Sequence, residues 1–477
     1  MFRKILIANR GEIAVRIMRS CREMGIDTVM VYSTADSNAL HVQLASEAYC
    51  IGGPLPKDSY LNMQAILTVA LETGCEAIHP GYGLLSENAD FANMVEEVGL
   101  KFIGPCGATI DALGDKANAR RLMIEADVPV PPGSDGILPN AEVAIELAEK
   151  AGYPVLIKAA AGGGGRGMRR IDNAEQMIAM FNEATLEAQN AFGDGSLYLE
   201  KLIENPKHIE FQILADQQGN VIHLGDRDCS WQRRRQKVIE ETPCTRLSDQ
   251  LRNEMGEAAI RAIKAVEYEG AGTVEFVLDK NNKFYFIEVN TRIQVEHPIT
   301  EMVTGIDIVR EQIRIASGAS LPITQSEMQI RGHAIECRIN AEKPSDNFRP
   351  SPGKIKNYIM PGGRSVRIDS AIYPGYEISP YYDSMIAKII VHGNNRSHAI
   401  RRMRRCLEEL IIDGVDTNAG LLYVSLFEQS MIRGTYDTST LESSLDDLLE
   451  YETIFHLPDS AELNPEEDNE LVLPEER

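Results

Sequence analysis

The segment TVEFVLDKNNKFYFIEVNTRIQVEHP, residues 273–298, limits the fold more than any other part of the chain. Two short runs rich in β-branched and aromatic residues flank a polar DKNNK insert, the pattern of an antiparallel hairpin. Both runs are apolar at odd and even positions alike (VEFV, FYFI), so both faces of the hairpin must be covered by other structure. With 280–283 as a four-residue loop, Asp279 pairs with Phe284, Glu275 faces Glu288, and Thr273 faces Asn290. Directly opposed carboxylates lie about 5 Å apart at Cβ and repel unless a cation sits between them. Two carboxylates and an amide oxygen suit Mg²⁺ or Mn²⁺, hard ions that take oxygen ligands beside nucleotide phosphates. A solvent-facing pair screened by the nearby lysines is the competing reading. The alternation continues through Arg292, Gln294 and Glu296, although regular strand geometry is expected to lapse before Pro298. Arg292 offers a planar fork for a small oxyanion, and Glu296 beside it suits a general base. A plain Arg292–Glu296 ion pair remains the alternative.

Around the hairpin the chain divides into three units. Residues 4–32 read as strand (KILIA), helix (about 12–24), Gly25 and strand (TVMVYS), and two further α/β repeats end at EAIHP and KFIGP. That predicts a Rossmann-like first domain over 1–113. Its first turn reads ANRGEIA and lacks the G-x-G-x-x-G fingerprint, so dinucleotide binding is not expected there. A central domain is expected over 114–330, with a compact α/β lid at about 131–203 and strands over about 208–300. A third unit, 331–446, mixes strands (HAIECRIN, MIAKIIVHG) with an Arg-rich helix at 396–411.

In YPVLIKAAAGGGGRGM, four consecutive glycines at 162–165 follow one strand-length after the apolar run that ends at Lys158. Glycine lets bare N–H groups approach phosphate oxygens, and Lys158 can reach the same anion. A linker would mix in serine, and G-x-x-x-x-G-K-[ST] is absent, so a strand lysine under a glycine lid fits better than a Walker loop. The run RDCSWQRRRQKVIEE at 227–241 is either a solvated face or, in part, the wall of an anion-binding cleft.

The net charge of −23 is uneven: from Glu442 onward, 13 acidic residues face one arginine. An acidic, disordered tail is expected over 447–477. The rest is only mildly acidic and shows no extended basic face, so no nucleic-acid partner is expected. The eight cysteines are scattered, the opening residues do not form a signal peptide, and no apolar run approaches bilayer length. A cytoplasmic protein with reduced thiols is expected.

ANRGEIA at 8–14, HPGYG and SEN at 79–88, IKAAAGGGGRGM at 157–168, IEVNTRIQVEHPITEM at 287–302 and ECRINAE at 336–342 resemble biotin carboxylase, an ATP-grasp family. The likeness runs from residue 2 to about 440. RIQVEHP and ECRINAE separate it from other ATP-grasp ligases. The resemblance implies a Rossmann-like N-terminal domain, an ATP-grasp domain with a mobile lid, and a biotin carboxylase C-terminal domain. It implies that Lys116, Lys158, Gly164 and Gly165 meet ATP phosphates, that Glu200, Lys201 and Ile203 line the adenine, and that His208 is a further nucleotide contact. Arg235 stands where the family often has His or Asn near the ribose. Glu275, Glu288 and Asn290 match its metal ligands. Lys237, Arg292, Gln294 and Val295 match its bicarbonate site and Glu296 its base, while Arg338 and Tyr82 lie at the biotin ring. The implied reaction is MgATP-dependent carboxylation of biotin by bicarbonate through carboxyphosphate. No A-M-K-M biotinylation motif occurs, so a separate biotin carboxyl carrier protein and carboxyltransferase are expected as partners of a homodimer. The setting is acetyl-CoA carboxylase or, alternatively, a two-subunit pyruvate carboxylase.

Overall fold

In a computed structural model the described residues are 1–160 and 168–454. The N-terminal unit is a parallel sheet of β1 (Lys4–Ile7), β2 (Asp27–Ser33), β3 (Glu47–Gly52), β4 (Ala77–His79) and β5 (Lys101–Phe102), in the order β3-β2-β1-β4-β5. The chain leaves β1 towards β2 on one side, and β4 lies on the other. The loops after β1 and β4 therefore meet at the carboxyl edge, where open α/β sheets place their functional residues. Asn9 ties them together, its Nδ2 donating to the carbonyls of Pro80 at 2.7 Å and Tyr82 at 2.8 Å. Gly81 has φ +65°, and a Cβ there would stand 2.8 Å from Asn9 Nδ2, so this close approach requires glycine. Helix α1 (Gly11–Glu23) follows β1 directly and buries Ile13, Ala14, Ile17, Met18 and Cys21, the inward positions of its 3.6-residue period.

Helix α2 (Lys116–Glu125) opens the central unit, with the Asp115 carboxylate accepting from the Asn118 N–H as its N-cap. The lid is a three-stranded antiparallel sheet, β7-β6-β8, of β6 (Val155–Ala159), β7 (Met168–Ile171) and β8 (Leu197–Lys201). Helices α3 (Ala141–Ala151) and α4 (Ala174–Phe192) cover it, and Val155, Ile157, Leu197 and Leu199 sit in a core of its own. Gly164, Gly165 and the rest of the glycine run lie outside the described residues.

The main sheet has eight strands: β9 (Lys207–Ala215), β10 (Val221–Arg233), β11 (Gln236–Thr242), β12 (Gly270–Leu278), β13 (Phe284–Asn290), β14 (His333–Asn340), β15 (Val366–Ser370) and β16 (Met385–Gly393). Their order is β13-β12-β9-β10-β11-β14-β16-β15. The sheet thus runs through residue 330 into the C-terminal unit without interruption, because β11 pairs antiparallel with β14. Helix α5 (Asp249–Lys264) packs on the β9–β10 side, helix α6 (His297–Thr304) follows the hairpin, and helix α7 (Arg396–Glu409) covers β14 and β16.

The first residues of the stretch expected to be a disordered tail, from 447, are ordered. Leu445–Ile454 is a helix in which Leu448 is 3 % exposed and Leu445 and Leu449 pack on the C-terminal core. These leucines at i, i+3 and i+4 form an apolar stripe that the average charge of the segment hides. Residues 455–477 lie outside the described residues. No described helix is long and apolar enough to cross a membrane, and none of the described cysteines is in a disulfide.

Candidate active site

The hairpin β12–β13 places Glu275 opposite Glu288 and Thr273 opposite Asn290, the register expected at the carboxylates. The turn is reached differently, because Leu278, not Asp279, pairs with Phe284. A one-residue shift between Glu275 and Phe276, where Ile287 is extra, restores the register. The strand ends at Asn290, so Arg292, Gln294 and Glu296 reach the site from a loop and not from a continued strand face.

They nevertheless converge. The Lys237 ammonium, entering from β11, donates to Glu210 Oε2 at 2.5 Å, Glu275 Oε1 at 2.9 Å and Glu296 Oε1 at 2.7 Å. Glu275 Oε1 also accepts from Asn290 Nδ2 and Gln294 Nε2, each at 2.9 Å, and its Oε2 accepts from His208 Nε2 at 2.7 Å. Burial alone would raise the Glu275 carboxyl, but Lys237 and His208 outweigh it and hold it well below the usual carboxylate range. Glu296 is fully buried and bonded on both oxygens, to Lys237 and to Arg338 Nη2 at 2.9 Å. Burial again opposes ionisation there, and Lys237, Arg338 and Arg227 together bring the carboxyl below its ordinary value. Burial pulls the Lys237 ammonium the other way, yet Glu210, Glu275 and Glu296 raise it well above an ordinary lysine. Lys237, Glu275 and Glu296 are therefore held as full charges in a buried pocket, whereas burial raises the Glu210 carboxyl.

Arg292 lies alongside. Its Nη2 donates to Asn290 Oδ1 at 3.0 Å and its Nε to Glu87 Oε2 at 2.9 Å, while Glu87 Oε1 accepts from the Thr291 N–H at 3.1 Å. Glu87 comes from the loop after β4, so the N-terminal unit aims this guanidinium. Glu288, opposite Glu275, accepts from the Lys116 ammonium at 3.2 Å. The donor set Glu275, Glu288 and Asn290 can offer oxygen alone, the chemistry a hard divalent cation takes, and Lys237, His208, Lys116 and Arg292 hold those oxygens here.

On the lid, Lys158 pairs with Glu200, and Arg120 Nη1 stands 3.6 Å from the same carboxylate. Lys201 turns away, donating to the carbonyls of Gly152 and Tyr153 at 2.8 Å each, and half-buried Ile203 follows β8. The arginine run does not hold one alternating face. Arg234 and Arg235, with φ of 47° and 66°, form the two-residue turn between β10 and β11. Arg233 stacks on Phe348 at 3.7 Å, the Arg234 backbone N–H donates to Glu442 Oε1 at 2.7 Å, and Arg235 Nη1 reaches the Met168 sulfur at 3.6 Å. Arg233, Arg234 and Arg235 thus stay out of the charged cluster, which Lys237 enters just beyond them.

Arg338 on β14 donates through Nε to Glu240 Oε1 at 2.6 Å as well as to Glu296. Tyr82 hydrogen-bonds Glu12, and Val295 sits one residue before Glu296 with its carbonyl bonded to a buried lysine, Lys388. Four residues at the site went unassigned in the sequence: Glu87, Glu210, Arg227 and Glu240. Arg227 is fully buried and bridges Glu210, Gln212 Oε1 at 2.7 Å, Thr300 Oγ1 at 3.0 Å and Thr273 Oγ1 at 3.1 Å. The available signal was a charged residue inside an apolar strand, as in HIEFQIL and KVIEE.

This arrangement can be compared with known proteins. Residues 1–110 match the family model described as biotin carboxylase, N-terminal domain, and residues 336–443 the biotin carboxylase C-terminal domain. Residues 115–324 match the ATP-binding domain of the carbamoyl-phosphate synthase L chain. Biotin carboxylase 1 of Bacillus subtilis is 55 % identical over 444 residues, 93 % of this chain and 99 % of that one. The chain belongs to the biotin carboxylase family. A pyruvate carboxylase subunit of Methanothermobacter thermautotrophicus is 54 % identical, covering 92 % of this chain and 89 % of its own length. The biotin carboxylase domain dimer of Hydrogenobacter thermophilus 2-oxoglutarate carboxylase, solved with MgADP, ADP and bicarbonate, superposes with a TM-score of 0.90 at 51 % identity. That match covers 94 % of this chain and 99 % of the other. A biotin carboxylase fold thus carries the Lys237 cluster, the β12–β13 hairpin carboxylates and the lid on one continuous chain.

Proposed function

We propose that this chain is the biotin carboxylase subunit of a biotin-dependent carboxylase and carboxylates biotin with bicarbonate at the expense of MgATP. The observation that carries the reading is Glu296, a fully buried carboxylate gripped between Lys237 at 2.7 Å and Arg338 at 2.9 Å, with Arg292 near enough to feel its charge. Such a carboxylate is ionised at neutral pH and ready to accept a proton. Its proton affinity rises as Lys237 and Arg338 turn towards incoming oxyanions, which suits a base that acts only in the loaded site.

Lys237, Arg292, Gln294 and the backbone at Val295 hold bicarbonate, and Glu296 takes its proton. Lys116 and Lys158 receive ATP phosphates, with Glu200, Lys201, Ile203, His208 and Arg235 along the rest of the nucleotide and Gly164 and Gly165 in the lid. Glu275, Glu288 and Asn290 would hold a divalent cation, which offsets phosphate charge during phosphoryl transfer. Bicarbonate oxygen attacks the γ-phosphorus, the bond to ADP breaks, and the carboxyphosphate formed breaks down to CO₂ and phosphate. Phosphate takes the N1′ proton of biotin, and N1′ adds to CO₂. Arg338 faces the ureido oxygen as negative charge builds on it, and Tyr82 borders the ring.

A homodimer served by a biotin carboxyl carrier protein and a separate carboxyltransferase completes the proposal, with acetyl-CoA carboxylase as the setting. The test is ATP cleavage by the purified chain. Cleavage should require bicarbonate, rise when free biotin is added, and be lost in Glu296→Ala. Bicarbonate-dependent cleavage that ignores biotin contradicts the assignment.

A further inference from the structure

Lys388 has no part in the chemistry above, and its surroundings are unusual for a lysine. It lies in the middle of β16 between Ala387 and Ile389 and is 0 % exposed. A lysine so placed must find partners for its ammonium, since an unpaired buried charge is strongly destabilising. Its partners come from both other units of the molecule. Nζ donates to the Val295 carbonyl at 2.8 Å, and it stands 3.0 Å from Glu12 Oε1 on α1. Asp369 Oδ2 on β15 is farther, at 3.9 Å.

Each near partner belongs to a different side of the site. Glu12 Oε1 also accepts from the Tyr82 hydroxyl, and the Tyr82 ring lies 6.0 Å from the Lys388 ammonium. The Val295 carbonyl shares its peptide plane with the Glu296 N–H, and in a trans peptide the two point in opposite directions. Fixing the carbonyl on Lys388 therefore fixes the direction of the Glu296 amide and the start of the Glu296 side chain. Across the sheet Lys388 is the register partner of Arg338, so the same strand pair also carries the guanidinium that bonds Glu296.

We propose that Lys388 is a positioning residue that assembles the bicarbonate side of the site, through the Val295–Glu296 peptide, and the biotin side, through Glu12 and Tyr82, on one ammonium. It is contributed by the C-terminal unit and joins the N-terminal and central units where they meet. The inference rests on the proposed function, because it names bicarbonate and biotin as the ligands whose sites it orders.

The experiment is steady-state ATP cleavage by the full chain, with ATP, bicarbonate and free biotin varied in turn, for wild type, Lys388→Met, Lys388→Arg and Glu12→Gln. Lys388→Met should raise the KM for bicarbonate and for biotin by about tenfold or more, with the KM for ATP held within about twofold. Lys388→Arg, which keeps a donor to the Val295 carbonyl, should recover part of the bicarbonate effect. Glu12→Gln leaves the Lys388–Val295 bond in place, so it should raise the KM for biotin and spare that for bicarbonate. A merely structural lysine would lower the folded fraction, and with it the apparent kcat, without moving either KM, and that result overturns the proposal. So does a Glu12→Gln variant whose bicarbonate and biotin KM values move together. If Lys388→Met does not fold, the Arg and Gln variants decide on the same criteria. A wild-type chain that shows no biotin stimulation refutes the function instead, and the bicarbonate KM of the variants still judges Lys388.

Discussion

Replacing Lys237 by Met removes the ammonium at the centre of the site while keeping an unbranched chain of similar length. In the structure that ammonium is 2.5 Å from Glu210, 2.9 Å from Glu275 and 2.7 Å from Glu296. Without it these three carboxylates and Glu240 share Arg227, Arg338 and His208 as the remaining cationic partners. Deleting one partner of a buried ion pair costs about 3–5 kcal/mol, because the charge left behind is unpaired and unsolvated. For a unit of this size that is a fall of roughly 6–20 °C in the midpoint of thermal unfolding. The loss should depend on pH. In the wild type the carboxyls of Glu275 and Glu296 are held below their ordinary 4.5, so their contribution is complete above that pH and fades as pH falls through their folded values. In the variant these carboxyls rise, and what stability they add is lost as pH climbs from about 4.5 through the new values. The gap between the two proteins should therefore widen from pH 5.5 to 8.5, which thermal unfolding followed by circular dichroism measures directly. A gap under about 1 kcal/mol that stays flat over this range, no larger than an exposed ion pair supplies, would refute the picture of fixed buried charge.

Three other changes probe separate parts of the site and its surroundings. Glu336 is fully buried and neither carboxyl oxygen has a partner among the described residues; burial, with Glu240 opposite, pushes it well above 4.5. Its contribution is complete below 4.5 and lost as pH rises, so Glu336→Gln should gain on wild type above that pH, by up to about 1.4 kcal/mol per pH unit, and a difference in unfolding midpoint that does not change with pH contradicts this. Glu87→Ala frees Arg292 and the Thr291 N–H, but Glu87 is partly exposed, so the loss should be about 1 kcal/mol, read as a roughly fivefold rise in the KM for bicarbonate with the KM for ATP unchanged. Glu288→Gln should raise the Mg²⁺ concentration for half-maximal ATP cleavage by at least about tenfold, the worth of one charge-assisted contact; an unaltered Mg²⁺ dependence would remove Glu288 from the metal site.

The carboxylate register of the hairpin was legible because apolar runs and a polar insert leave few ways to pair two strands. The loop count behind it missed by one residue, and the extra Ile287 cancelled the error before Glu275 was reached. A bulge has no composition of its own, so it could not be read in advance. Arg292, Gln294 and Glu296 were grouped by their spacing on a strand that ends at Asn290. Gln294 and Glu296 are drawn in by Glu275 and Lys237, while Arg292 is held by Glu87 and Asn290. Glu87 and Lys388 lie 205 and 93 residues from the groups they bond, and spacing along a chain carries no information over such separations. A lysine set among Ile and Ala in MIAKIIV was nonetheless a signal, since strands buried on both faces rarely hold an unpaired charge. The tail shows the reverse error, where a net charge averaged over 36 residues concealed a short leucine stripe.

In the proposed reaction bicarbonate, its proton taken by Glu296, attacks ATP and delivers its carbon to biotin. The most direct measurement supplies bicarbonate labelled with radioactive carbon and, separately, with heavy oxygen, together with MgATP and free biotin. Acid-labile radioactive carbon should appear on biotin and one heavy oxygen in each phosphate released, both lost in Glu296→Ala. Phosphate that carries no heavy oxygen, or label transfer that persists without Glu296, would contradict it.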